Sequence, residues 1–173
     1  AFEPYPVAYQ ALSKNMARLT NVTSVHAALG ANVGTVPFSI YPTNIGASCL
    51  GRMQGCEVVD VPQTTLDVRL ADVERLDFIH LDAEGMESEI LKGAEGLIRR
   101  FQPSLMIEVI DDWLKRYGSS SMLLMQQIAQ MGYYTLLKMQ PNAAQFDVLA
   151  MPMRKMASLS ESVKAALVAA TRA

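Results

Sequence analysis

Short apolar runs alternate with stretches in which apolar residues return every three or four positions, a pattern that predicts strands interleaved with helices. The opening Ala1-Phe2-Glu3-Pro4 reads as a strand end and a turn. In 7–19, Val7, Ala8, Ala11, Leu12, Met16 and Leu19 then fall near helical spacing. Residues 22–29 are apolar and β-branched enough for a short strand, closed by Gly30 and Gly34. Residues 35–40 start a hairpin or an irregular excursion. Residues 41–55, with Pro42, Gly46, Gly51 and Gly55 and little periodicity, read as a long surface loop and a candidate substrate lid. An edge strand at 58–61, ended by Pro62, and a short helix at 65–70 follow.

Residues 76–81 are a compact apolar strand that runs directly into Asp82-Ala83-Glu84-Gly85-Met86-Glu87. One helix is predicted after it, because Ile90, Leu91, Ala94, Leu97, Ile98 and Phe101 share a face and Pro103 prevents continuation. Residues 104–110 are the next strand, carrying Glu108 near its end and running into the pair Asp111-Asp112. A helix at 122–131 stops at Gly132, and strands at 133–138 and 146–151, joined by Gln140-Pro141-Asn142, predict an antiparallel edge. Ser158 and Glu161 read as a capping box ahead of a C-terminal helix with Val163, Leu167 and Ala170. The expected fold class is α/β, a mainly parallel sheet with an antiparallel edge. Residues 1–152 are the expected domain and 153–173 a helical tail.

Charge and composition narrow the functions. Across 173 residues, 15 Lys and Arg face 17 Asp and Glu, and no basic run exceeds a pair, so a nucleic-acid partner is not expected. No apolar run approaches the roughly 18 residues of a membrane span. Cys49 and Cys56 are too few for a disulfide scaffold, and with no secretory signal pattern the expected setting is a reducing cytoplasm. Eight of the 11 Met lie from Met106 to Met156, as gap-filling core residues. The chain holds no GxGxxG, GxxxxGK[ST], CxxC, HExxH or GxSxG, which removes phosphate-loop and zinc readings.

The candidate chemistry lies in acids at strand ends, where open α/β sheets bind ligands: Glu3, Asp82 with Glu84, and Glu108 with Asp111-Asp112. A carboxylate there can accept both hydroxyls of a ribose, although for Glu3 a solvated turn residue is an equal reading. Asp82 and Glu84 can cap the following helix, or place oxygens at a cleft for a proton transfer or a hard metal. His80 shares the side of Asp82 by strand alternation, yet it and His26 read as satisfied core histidines with no metal-ligand spacing.

Several motifs in order carry a resemblance: Ala1-Phe2-Glu3-Pro4, Ala27-Ala28-Leu29-Gly30, Gly46-Ala47-Ser48, Thr65-Leu66-Asp67, the run Leu81 to Glu87, Leu91-Lys92-Gly93-Ala94, and Pro103 through Ile107-Glu108. Together, from residue 1 to about Pro152, they resemble the FkbM family of S-adenosylmethionine-dependent methyltransferases. The resemblance implies a class I, Rossmann-like methyltransferase sheet with strand order 3-2-1-4-5-7-6 and methyl transfer to a hydroxyl of a sugar or secondary metabolite. Glu3 would hold the cofactor ribose and Ala27 and Ala28 would lie beside the adenine. Asp82, Glu84 and Glu108 would face the methyl and the acceptor, as general base or as ligands to a divalent cation. The partner would be a small-molecule hydroxyl acceptor. The family's first strand and its glycine-rich Asp-x-Gly-Ala-Asn-x-Gly turn are not among these residues, so the sheet is expected to be incomplete at its N-terminus. Strand 76–81 should then show a bare edge, or the gap of about 10 Å should be filled from elsewhere. The same absence fits a non-catalytic α/β interaction module or degenerate paralogue. A nicotinamide nucleotide enzyme also places an acid after its second strand, but the order of the later motifs argues against it.

Overall fold

Residues 1–139 and 145–164 are described in the computed structural model. The chain divides into two units, Ala1–Arg69 with Glu89–Ala94, and Leu70–Ser88 with Glu95–Ala173.

In the first unit, Pro6 opens helix α1 (Pro6–Met16), where its missing N–H costs nothing. Four strands, β1 (Ala28–Leu29), β2 (Gly34–Ile40), β3 (Cys49–Leu50) and β4 (Glu57–Thr64), form a sheet of order β1-β4-β2-β3. Only β1 and β4 run parallel; β2 is antiparallel to both β4 and β3. Ala28, Phe38, Ile40, Cys49, Leu50 and Val61 are its buried apolar residues. Helix α2 (Leu66–Arg69) is capped by Thr65, whose Oγ1 accepts from the Val68 N–H at 3.1 Å.

Several expectations for this unit are corrected. The strand expected at 22–29 is reduced to Ala28–Leu29 plus an isolated parallel bridge between Phe2 and Val25, because the Ala27 N–H turns back onto the Val25 carbonyl at 3.1 Å. The 58–61 segment is not an edge strand: β4 is longer and lies between β1 and β2. Only Gln63 is paired to strands on both sides, so Pro62 falls where β4 is laddered to β2 alone. The long loop 41–55 contains a 3-10 turn (Ile45–Ala47) and the buried strand β3. Fully buried Ser39 ties it down, its Oγ donating to the Gly51 carbonyl and accepting from the Met53 N–H, both at 2.8 Å.

The second unit contains β5 (Phe78–Leu81), β6 (Ser104–Ile110), β7 (Tyr133–Met139) and β8 (Gln145–Pro152) in the order β5-β6-β8-β7. Its helices are α4 (Glu95–Phe101), α5 (Asp111–Arg116), α6 (Ser121–Gln130) and α7 (Met153–Ala157), while α3 (Glu87–Lys92) begins here and ends in the first unit. Strand alternation is clear in β6, where Leu105, Ile107 and Val109 are completely buried and the residues between them half-buried. Phe146, Val148 and Ala150 of β8 are likewise buried, with Leu114, Leu124 and Ile128 from α5 and α6. Burying a side chain of this kind contributes about 1.5–3 kcal/mol.

The pairing of β5 with β6 is parallel, whereas β6 with β8 and β8 with β7 are antiparallel. Both sheets are therefore mixed, and the mainly parallel sheet expected from the sequence is corrected. An apolar alternation is the same whichever way a strand runs, so direction was not visible in it. The order β5-β6-β8-β7 matches the 4-5-7-6 portion of the expected order, and among the described residues β5 is paired with β6 alone, giving the expected bare edge. The single helix expected over 90–101 is two helices, α3 and α4, interrupted at Gly93-Ala94. A Cβ on Gly93 would lie 2.1 Å from the Gly30 carbonyl oxygen, so the chain here makes a close approach that only glycine permits. Helix α6 starts from Ser120, whose Oγ accepts from the Leu123 N–H at 3.2 Å, and Gly132 beyond it has φ +84°.

Helix α7 lies within the span 153–173 expected as a helical tail. Ser160, rather than Ser158, caps the following turn by accepting from the Val163 N–H at 3.4 Å, and the Ser158 hydroxyl donates instead to the Lys155 carbonyl. Leu167 and Ala170 of that predicted helix, and the Gln140-Pro141-Asn142 link, lie outside the described residues. Among the described residues, no helix is long and apolar enough to cross a membrane.

Candidate active site

Residues 82–86 connect β5 to α3 by an unusual turn: Glu84 has φ +51° and Gly85 φ +98°, and the Met86 N–H closes onto the Ala83 carbonyl at 3.2 Å. A non-glycine residue in the left-handed region costs about 1–2 kcal/mol, and such residues persist where surrounding structure over-determines them. Leu81 pairs with Ile107, so the next positions on each strand carry Asp82 and Glu108 to the same end of a parallel pair. Glu108 in turn pairs with Asp147 of β8. The structure thus brings Asp82, Glu84 and Glu108 together in the second unit.

Their environments differ. Asp82 is exposed, while Glu84 and Glu108 are half-buried. Burial pushes the Glu84 carboxyl up to about 7, with the nearby charges of Glu108, Asp82 and Glu87 adding to the rise and Arg116 opposing it. Burial also raises Glu108, against the Gln145 amide that donates to its Oε1 at 2.9 Å; the adjacent Asp82 carboxyl adds to the rise. Asp111, grouped with Glu108 from sequence, has a different task. Its Oδ1 accepts from the Ser121 N–H at 2.7 Å and its Oδ2 pairs with Lys115 at 2.6 Å, joining α5 to the start of α6. His80 is exposed on the β5 face, which corrects the core reading, whereas His26 is half-buried, bonded to the Pro4 carbonyl at 3.2 Å and stacked on Tyr9.

The remaining candidates lie in the first unit. Glu3 accepts the Tyr5 N–H on Oε1 at 2.7 Å, so one oxygen sets the turn into α1. A carboxylate has about four lone-pair sites, which leaves capacity for the hydroxyls of a ribose. Ala27 and Ala28 are buried, at 4% and 3% exposure, beside the Phe2 to Val25 bridge. Among the described residues, no three of His, Cys, Asp and Glu are gathered so as to hold a metal ion, and the divalent-cation option has no ligand set to support it.

Glu87 escaped the strand-end reading. It is 2% exposed, and its Oε1 accepts from the Ala83 N–H at 2.9 Å and the Gly85 N–H at 3.3 Å. In sequence it looks like an ordinary acid in a first helical turn. The signal available was its position two residues after a glycine at a helix start, within reach of the turn's amides.

Glu84 makes stability depend on pH. The unfolded chain releases this proton near 4.5 and the folded chain near 7, so between those values the folded state binds more protons and stability falls as pH rises. Because the carboxyl is half-exposed, solvent screening limits the effect to about 1 kcal/mol. Urea unfolding should therefore show the wild type losing more stability than Glu84→Gln between pH 4.5 and pH 7. Equal losses in the two proteins would contradict the raised carboxyl.

An α/β fold whose paired strands deliver acids to one turn is an arrangement suited to proton transfer at a bound hydroxyl. The chain belongs to the FkbM methyltransferase family: residues 1–134 match the methyltransferase FkbM domain. It is similar to the methyltransferase sdnD of Sordaria araneosa, at 32% identity over 55% of this chain and 50% of that protein. The chain thus spans about half the length of the curated relative it matches. Its fold is similar to that of the methyltransferase FkbM from Methylobacillus flagellatus, with a TM-score of 0.57 and 21% identity, covering 86% of this chain and 35% of that one.

Proposed function

We propose that this chain belongs to an S-adenosylmethionine-dependent O-methyltransferase of the class I, Rossmann-like kind, acting on a hydroxyl of a sugar or secondary metabolite in the cytoplasm. The observation that carries the reading is the Glu84 carboxyl, raised to about 7 beside Asp82 and Glu108 in a member of the FkbM family. A base is most effective when its pKa lies near the working pH, and Glu84 meets that condition. In this reading the bound cofactor supplies an electrophilic methyl. Glu84 would take the acceptor's hydroxyl proton, and Asp82 and Glu108 would orient that hydroxyl. Glu3 would hold the ribose and Ala27 and Ala28 would flank the adenine; the free lone pairs on Glu3 and the small side chains of the alanines suit those groups.

Calorimetric titration tests the reading. The 173-residue chain is expected to bind S-adenosylmethionine weakly, since no glycine-rich turn for the methionine half is among its residues. A longer chain with such a strand-turn-helix ahead of Ala1 is expected to bind it and to methylate a hydroxylated acceptor. Tight binding by the 173 residues alone would contradict the need for that turn. Failure of the longer chain to bind would favour a non-catalytic α/β interaction module.

A further inference from the structure

Glu87 is placed in a way that helix capping alone does not explain. Its carboxyl is almost wholly buried, its Oε1 receives two backbone N–H groups, and its Oε2 is buried with no hydrogen-bond partner. An orphaned carboxylate oxygen is costly in a protein interior. The two amides bonded to Oε1 belong to Ala83 and Gly85, the residues on either side of Glu84. One side-chain atom therefore pins the backbone before and after the residue that adopts φ +51°. A left-handed glutamate is unfavourable unless something holds it, and this pair of bonds does so.

We propose that Glu87 is a positioning residue: its buried carboxyl clamps the turn at 83–85 and so sets where the Glu84 carboxyl stands beside Asp82 and Glu108. The consequence for methyl transfer rests on the function proposed above, whereas the clamp itself does not. An apolar residue at 87 would remove the orphaned oxygen but leave two amides unpaired. Glutamine keeps an acceptor oxygen in the same place and loses only the acid. Burial favours the neutral form of Glu87, against its backbone bonds, and this fits a role as acceptor more than as charge.

The test is a carboxyl 13C and amide NMR titration of the 173-residue protein as wild type, Glu87→Gln and Glu87→Leu. Both variants remove any charge at 87 equally, so a difference between them reports geometry. Glu84 is expected to titrate near 7 in the wild type and to stay close to that in Glu87→Gln, but to fall toward 4.5 in Glu87→Leu. The Ala83 and Gly85 amide protons should hold their shifts in Glu87→Gln and lose their hydrogen-bonded shifts in Glu87→Leu. Should Glu87→Leu not fold, Glu87→Asn takes its place with the same expectation, because it is neutral like glutamine and its amide oxygen is drawn back one methylene from both amides. Identical Glu84 titration in the glutamine variant and its comparison, or Ala83 and Gly85 amides unmoved in that comparison, would overturn the clamp. The readout requires no methyl transfer, so it decides the clamp even if the proposed function fails.

Discussion

Gly85→Ala is expected to destabilise the protein by about 2–5 kcal/mol, a large part of the roughly 5–15 kcal/mol that holds a domain folded. Two costs combine. The backbone at Gly85 has φ +98°, a conformation that L side chains rarely adopt. An added Cβ would also lie 2.5 Å from the Trp113 carbonyl oxygen and 2.6 Å from its carbon, with the Tyr117 ring at 3.0 Å. Two of those atoms are helix backbone, which cannot swing aside as a flexible side chain would. The contrast is Gly30, where an added Cβ meets the end of the Gln63 side chain, which can move. Urea unfolding of Gly85→Ala beside Gly30→Ala would read the difference. A loss at Gly85 no larger than at Gly30 would mean that α5 yields freely.

The second large effect is kinetic and separates the two groups of site residues in an active, longer chain. Glu84→Gln is expected to lower kcat by about 100- to 10,000-fold, the contribution of a positioned base. The wild-type kcat should rise with pH through about 7 as Glu84 loses its proton, and the residual activity of the variant should lack that rise. Glu3→Gln should act on the cofactor KM instead, raising it about 10-fold or more, because a ribose-holding carboxylate makes equal bonds in ground and transition states. Glutamine is chosen at Glu3 because it keeps an acceptor for the Tyr5 N–H and so preserves the turn into α1. Comparable losses of kcat in both variants, with cofactor KM unchanged, would remove this division of roles.

Legibility followed the range of the forces involved. Strand β6 occupies the span predicted for it, because residues 105–110 are mostly apolar and Pro103 marks where it can start. Asp82, Glu84 and Glu108 were readable because acids at strand ends are a local signal, and they do converge. Glu87 was not readable, since its burial and its reach to the Ala83 and Gly85 amides exist only after the turn has formed. The break between α3 and α4 was missed for a related reason: apolar spacing continues across it, and the need for Gly93 comes from the Gly30 carbonyl, distant in sequence.

Local patterning by itself determined that the chain alternates strands and helices, where most of those elements lie, and which acids end up at a strand end. Hydrophobic periodicity and turn chemistry act over a few residues and are written there directly. Tertiary structure alone decided strand direction, the mixed character of both sheets, the interior place of β4 and the left-handed turn at Glu84. It also decided that the Glu84 carboxyl would be raised to about 7. Those outcomes depend on contacts and desolvation between segments far apart in the chain, which no short window of sequence contains.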